Sequence, residues 1–174
     1  MSVILTGFMG TGKTTVGRRL AHRLGKQFID TDERVEESEG RPIAAIFETD
    51  GEAHFRAVER RVIGEAVKTA AVVATGGGAI ADPINYQCMH QAGPIICLTA
   101  GLEEILQRTS PDQNRPLLGV GNRRVRVHQL LSERAAAYAQ ADLTIDTSGR
   151  SVDAIVEEIL SYLRRIQDHE GVQP

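Results

Sequence analysis

Only two cysteines, Cys88 and Cys97, occur in the 174 residues. They stand in neither a C-x-x-C nor a metal-ligand spacing, which argues against a disulfide framework and a cysteine metal site. Cys97 sits inside the apolar run Ile95-Ile96-Cys97-Leu98, so both thiols are expected to pack in a reducing compartment. Neither charge sign dominates: 20 Lys and Arg face 23 Asp and Glu, for a net charge of −3. Nothing general therefore points to nucleic acid or an anionic membrane, and any basic function has to be local. No apolar stretch approaches the length of a membrane span, and the first residues lack a basic segment followed by a long apolar one. A cytoplasmic protein without membrane partners is expected. Internal repeats and low-complexity segments are also missing. What remains, 41% hydrophobic and 25% charged residues, is the composition of an ordinary globular chain, and its length suits one domain over residues 1–174.

The stretch with the strongest chemical content is Gly7-Phe8-Met9-Gly10-Thr11-Gly12-Lys13-Thr14, preceded by the apolar run Val3-Ile4-Leu5 and followed by helical periodicity. It matches G-x-x-x-x-G-K-[ST] in the strand-then-helix context that a phosphate loop requires. Glycines let successive N–H groups turn toward a polyphosphate, and the following helix adds the positive end of its dipole. Lys13 is placed to reach the β- and γ-phosphates, and the Thr14 hydroxyl to ligate their magnesium. A plain glycine-rich turn has no need of Lys-Thr at those positions. A dinucleotide fingerprint fails because the third glycine is missing after Gly10-Thr11-Gly12.

Periodicity predicts a helix through Val16, Leu20 and Leu24 ending at Gly25, then a short strand at Phe28-Ile29 running into Asp30-Thr31-Asp32. A polar helix to Glu39, a short one around Ile43 to Phe47 and a longer one over Glu52 to Val67 come next. Val72-Val73-Ala74 reads as a strand leading into Gly76-Gly77-Gly78. A helix near Asn85 to Gln91, a strand at Ile95 to Leu98 and a helix at Leu102 to Arg108 follow. Residues 109–122 read as a long loop, with a helix through Leu130 and Tyr138 and a strand at Leu143 to Ile145 behind it. The last helix carries the stripe Val152, Ile155, Ile159, Leu160 and Leu163 behind a Ser151 cap, with a polar tail after Ile166. Strands separated by helices imply a parallel sheet covered on both faces, with ligands beyond the strands' C-terminal ends.

Several groups cluster at those ends. If Asp30 and Asp32 both extend the second strand, their carboxylates point the same way. The fourth strand ends without an acid, so Asp30 is a candidate for magnesium and Asp32 for a substrate hydroxyl; the competing reading is a polar turn that caps the next helix. Arg56 lies three residues before Glu59, which would hold it as a fork for an anion. From this helix alone, an exposed ion pair on its face is the better explanation of that pair. His54, alone beside them, is given no role. Gly76, Gly77 and Gly78 permit close approach to a small ligand and leave N–H groups for it. Arg115-Pro116-Leu117-Leu118 in the long loop, with Arg108 before it, suggests a lid that brings charge to a transferring phosphate. Arg123, Arg124 and Arg126 read as solvated charge. Arg134 shares a helical line with Leu130 and Tyr138, so it need not face solvent.

In their order along residues 3 to about 150, these motifs, with Gly17 and Arg134 through Tyr138, resemble shikimate kinase. The resemblance implies the nucleoside-monophosphate-kinase-like P-loop fold, a three-layer α/β architecture around a five-stranded parallel sheet in the order 2-3-1-4-5. It implies transfer of the γ-phosphoryl group of ATP to the 3-hydroxyl of shikimate, with Mg2+, by an enzyme that binds shikimate and ATP; a monomer without a nucleic-acid partner is expected. Residue by residue, it places Gly10, Thr11, Gly12, Lys13, Thr14 and Thr15 on ATP, and Thr14 and Asp30 at magnesium. Asp32, Arg56, Arg134 and the glycines at 76, 77 and 78 fall on shikimate, Arg115 on the phosphates from a lid of about 109–124, and Arg108 and Arg150 beside adenine. The substrate region would span about 32–60 and a frayed tail 168–174. A gluconate or nucleoside monophosphate kinase is the enzymatic alternative. A nucleotide switch is the non-enzymatic one, although no N-K-x-D motif for guanine occurs.

Overall fold

The computed structural model describes residues 1–109 and 122–170. Arg115, its Pro-Leu-Leu neighbours, most of the expected lid and the final residues 171–174 lie outside the described residues. Five strands, β1 (Val3–Thr6), β2 (Phe28–Asp30), β3 (Val72–Ala74), β4 (Ile95–Thr99) and β5 (Leu143–Asp146), form one sheet in the order β2-β3-β1-β4-β5. Every pairing is parallel, with Leu5 aligned to Ala74 on one side and to Ile96 on the other.

Side-chain alternation along the strands sorts the core into two layers. Val3, Leu5, Ile96 and Leu98 face α1 (Lys13–Leu24) and α8 (Val152–Glu170), meeting Val16, Leu20, Ile155 and Ile159. Ile4, Ile95 and Cys97 face the other way, toward α4 (Gly51–Ala66), α5 (Pro83–Ala92), α6 (Leu102–Arg108) and α7 (Arg123–Tyr138) through Ile63, Met89, Ile105 and Leu130. Burial pushes the Cys97 thiol up to about 11, so it stays a neutral packing group. A smaller cluster of Val35, Ile46, Phe55, Val58 and Val62 joins α2 (Thr31–Glu39) and α3 (Ile43–Thr49) to α4. That cluster fixes one wall of the site. No helix among the described residues is long and apolar enough to cross a membrane.

Two boundaries differ from the sequence reading. Asn122 accepts from the Val125 N–H and starts α7 at Arg123, so the last two residues of the expected lid are helical. There Arg123 donates to Thr109 and Arg124 pairs with Glu103, where solvated charge was expected. At the other end, α8 continues to Glu170 instead of fraying after Ile166, because no glycine or proline interrupts it before Gly171.

The turn from α5 into β4 depends on Gly93, whose φ is 156° and whose added Cβ would lie 2.0 Å from the Ser2 carbonyl oxygen. The Met1 side chain, 2.9 Å away, could swing aside, but the Ser2 carbonyl is backbone and could not. Gly93→Ala is therefore expected to cost about 2–4 kcal/mol, read as a lower urea midpoint at unchanged slope. An unchanged midpoint would show that this turn has a second conformation open to it.

Candidate active site

The phosphate loop leaves β1 at Gly7, where a Cβ would sit 2.1 Å from the Leu98 carbonyl oxygen, so the loop is pressed against β4. Gly10 and Gly12 take φ of 78° and 91°, a region that L side chains resist. The Thr11 side chain turns inward and donates to the Phe8 carbonyl at 2.8 Å, bracing the loop and leaving the cavity wall to its neighbours. Lys13 Nζ spans the loop by donating to the Gly7 and Phe8 carbonyls at 2.8 and 3.0 Å. At the start of α1, Gly12 supplies no side-chain cap and the first turn has no acid. Its N–H groups and dipole are thus available to an anion.

Across the cavity, the geometry around Asp30 and Asp32 differs from the expected one. β2 stops at Asp30 and α2 begins at once, so Asp32 stands in the first helical turn and not on a strand. The capping and functional readings of Asp30 coexist because the carboxylate divides its oxygens. Oδ1 accepts from the Asp32 N–H at 3.1 Å, and Oδ2 accepts from Thr14 Oγ1 at 2.9 Å. Thr14 and Asp30 thus offer adjacent oxygens. That donor set fits magnesium, which takes one or two protein oxygens and fills the rest of its octahedron with phosphate and water. Among the described residues no three His, Cys, Asp or Glu side chains gather as a cage for a metal. The half-buried Asp32 carboxyl is pushed up to about 6, by burial first and by the Asp30 charge second, against the pull of Lys13.

The third group converges from α4 and α7. Arg56 donates to Glu59 at 2.7 Å and also pairs with Glu52. Burial pushes the Glu59 carboxyl up, against the Arg56 charge, and its Oε1 has no hydrogen-bond partner among the described residues. Arg134 stacks over the Phe8 ring at 5.6 Å. Both guanidinia meet the triple glycine: a Cβ on Gly78 would lie 3.1 Å from Arg56 Nη2 and 3.5 Å from Arg134 Nη2, and one on Gly77 would lie 3.2 Å from Arg134 Nη1. At Gly76 a Cβ would crowd Asp32 Oδ1 at 2.8 Å and Glu59 Oε1 at 3.1 Å. These glycines are needed for space beside charged side chains, since none has a positive φ. The expectation that all three keep their N–H groups for a ligand is corrected at Gly76, whose N–H donates to Thr31 Oγ1 at 3.3 Å. Those of Gly77 and Gly78 have no partner among the described residues.

One cavity of about 600 Å3 joins these groups. Gly10, Gly12, Lys13, Thr14, Thr15, Asp30, Asp32, Arg56, Gly76, Gly77, Gly78 and Arg134 all line it. Arg108 and Arg150 do not. Arg108 instead ties the phosphate loop to the exit of β5, donating to Gly10 O at 3.3 Å and to Thr147 Oγ1 at 3.0 Å. Arg150 pairs with Glu158 of α8 at 2.7 Å, and both arginines help to depress the Asp146 carboxyl, behind its hydrogen bonds with Ser148. His54 is not alone, because Glu39 lies 2.9 Å from its Nε2. Sequence reasoning missed the apolar wall of Met9, Ile43, Phe47 and Phe55. It also missed the Tyr138 hydroxyl, which donates to the Gly77 carbonyl at 2.7 Å. The i, i+4 spacing from Arg134 hinted at Tyr138; the wall had no local signal.

A family model described as shikimate kinase matches residues 9–164 of this chain. A shikimate kinase of Geobacter sulfurreducens is 47% identical over 167 residues, covering 95% of this chain and 92% of its own. Its counterpart in Geobacter metallireducens is 46% identical over 167 residues, covering 93% and 91%. Among solved structures, a shikimate kinase from Acinetobacter baumannii in complex with shikimate superposes with a TM-score of 0.91 at 40% identity, over 94% of this chain and 93% of that one.

Proposed function

The chain belongs to the shikimate kinase family, and from that premise we infer that it transfers the γ-phosphoryl group of ATP to the 3-hydroxyl of shikimate, giving shikimate 3-phosphate and ADP on the route to aromatic amino acids. One observation carries the assignment to this chain's own residues: two guanidinia converge on a glycine turn that lines the same cavity as the phosphate loop, with the Asp32 carboxylate also on its wall. A small polyol acid suits that division, its carboxylate toward Arg56 and Arg134 and its hydroxyls toward Asp32.

Phosphoryl transfer draws on positioning and charge more than on covalent help. The loop glycines and the N-terminus of α1 cradle the phosphates, and Lys13 leaves the Gly7 and Phe8 carbonyls to follow the charge that builds on the γ-phosphoryl. Thr14 and Asp30 would hold magnesium, which would supply charge neutralisation for the phosphates. Asp32 aligns the 3-hydroxyl and accepts its proton, the role for which a carboxyl near 6 is suited. Arg115, outside the described residues, is assigned to the phosphates as added charge, and Arg108 and Arg150 to the border of the adenine. The protein works as a cytoplasmic monomer; its near-balanced charge of −3 gives no general pull toward nucleic acid or an anionic membrane.

ADP release from MgATP with and without shikimate tests the function. Release that ignores shikimate, or that follows gluconate or a nucleoside monophosphate instead, would overturn it. Arg56→Ala and Arg134→Ala are each expected to weaken shikimate binding by roughly 2–5 kcal/mol, since truncation leaves a charged partner unpaired. ATP binding should hardly change. Equal losses in separate titrations of the two ligands would make these arginines a general anion funnel.

A further inference from the structure

The two arginines at the glycine turn are held in different ways. Arg56 is compensated by carboxylates of its own helix, Glu59 at 2.7 Å and Glu52 at 3.2 Å. Arg134 forms no ion pair among the described residues; apart from the Arg56 guanidinium that shares Gly78 with it, its close neighbours are uncharged: the Phe8 ring, the Gly77 peptide and the Tyr138 hydroxyl. Glu59 acts on it only through the longer-range field. A guanidinium that packs on an aromatic face and a neutral hydroxyl keeps its full charge for an incoming anion, whereas one bridged to two carboxylates has spent most of its field already.

Tyr138 sits one helical turn beyond Arg134 on α7, with its ring buried in the core layer. Its proton is committed, because the hydroxyl donates to the Gly77 carbonyl at 2.7 Å, so the lone pairs of the same oxygen face the Arg134 N–H groups. A Cβ on Gly77 would lie 3.2 Å from Arg134 Nη1 and 3.6 Å from the Tyr138 oxygen, which puts the guanidinium, the phenol and the glycine peptide in one contact set. We propose that Tyr138 is a positioning residue for the substrate carboxylate: its hydroxyl locks Arg134 to the Gly77 peptide with a neutral group, so that Arg134 stays aimed into the cavity with its charge unspent. The inference rests on the shikimate reading above and deepens it, dividing the pair into an Arg56 that supplies a fixed fork and an Arg134 that supplies net charge. Burial pushes the Tyr138 phenol up to about 12, so it remains a neutral donor throughout the working pH range.

Tyr138→Phe keeps the ring and removes only the oxygen. Steady-state ADP release should show the shikimate KM raised about tenfold, the loss expected for one hydrogen bond to a charged group, with kcat and the ATP KM within about twofold of the parent. In an Arg134→Ala background the same substitution should change the shikimate KM no further, because the residue it positions is gone. An unchanged KM, a parallel fall in kcat and both KM values, or an effect that adds in full to Arg134→Ala would each overturn the proposal. If the variant unfolds at assay temperature, shikimate and ADP are titrated separately in the cold. Weakening confined to shikimate supports the assignment, and equal weakening of both sinks it. A parent chain whose ADP release ignored shikimate would sink the functional reading instead, whatever the variant does.

Discussion

Replacing Lys13 by alanine is expected to abolish phosphoryl transfer in a protein that still folds. The ammonium has no place in either core layer; it lies over the loop on the Gly7 and Phe8 carbonyls. Gly7 and Phe8 are themselves buried, so the variant loses two hydrogen bonds at a cost of about 1–3 kcal/mol, which leaves the fold standing. Activity has no such margin. The transferring phosphoryl carries its charge on oxygens that need a cation held in place before the reaction, and loss of one such charge is worth about a thousandfold or more in rate. Thermal unfolding and ADP release measured on the same preparation check this. Near-normal turnover in a folded variant would remove the phosphate-loop assignment.

Asp32→Asn is expected to lower shikimate phosphorylation about a hundredfold or more, the usual worth of a positioned base, with ATP affinity nearly unchanged. The pH dependence follows from the sign of the shift. The carboxyl titrates near 6 in the folded chain and near 3.8 when unperturbed, so kcat/KM should rise as pH passes through about 6 and level off above it. The asparagine variant should lose that limb. Stability runs the other way. A raised carboxyl binds its proton more tightly when folded, so its contribution is full below about 3.8 and disappears as pH rises through about 6. Asp32→Asn should therefore melt higher than the parent at pH 7, and the gap should close toward pH 4. A variant less stable than its parent at pH 7 would contradict the burial argument. Asp30→Asn should fail differently, through a raised magnesium requirement, since Asp30 stands beside Thr14. Rescue of Asp32→Asn by excess magnesium, without rescue of Asp30→Asn, would reverse the two roles.

The strand and helix order was readable because it rests on short-range patterns. Val3-Ile4-Leu5 alternates between two buried faces, Gly25 ends α1 with a φ of 63°, and Ser151 Oγ accepts from the Ala154 N–H at the start of α8. Asp32 shows where such patterns stop. Its convergence with Asp30 was expected from strand geometry, yet the chain turns helical between them, because Asp30 itself caps α2. Residue types were enough to single out two carboxylates that line one cavity and not enough to say how they are held.

By itself, then, the sequence determined a phosphate loop, its lysine and its threonine, and an alternation of strands and helices that leaves little but a parallel sheet. These depend on glycine spacing and side-chain periodicity, which act over a few residues. Tertiary structure alone decided which distant groups meet. Arg56 on α4 and Arg134 on α7 reach the same glycines because both helices pack on the face of the sheet presented by Ile4, Ile95 and Cys97. The Gly76 N–H goes to Thr31, Glu59 is shut away behind Arg56, and Arg134 is left with neutral partners. Each of those outcomes turns on distances between elements far apart in the chain, which are set when the layers close and the side chains divide the remaining space.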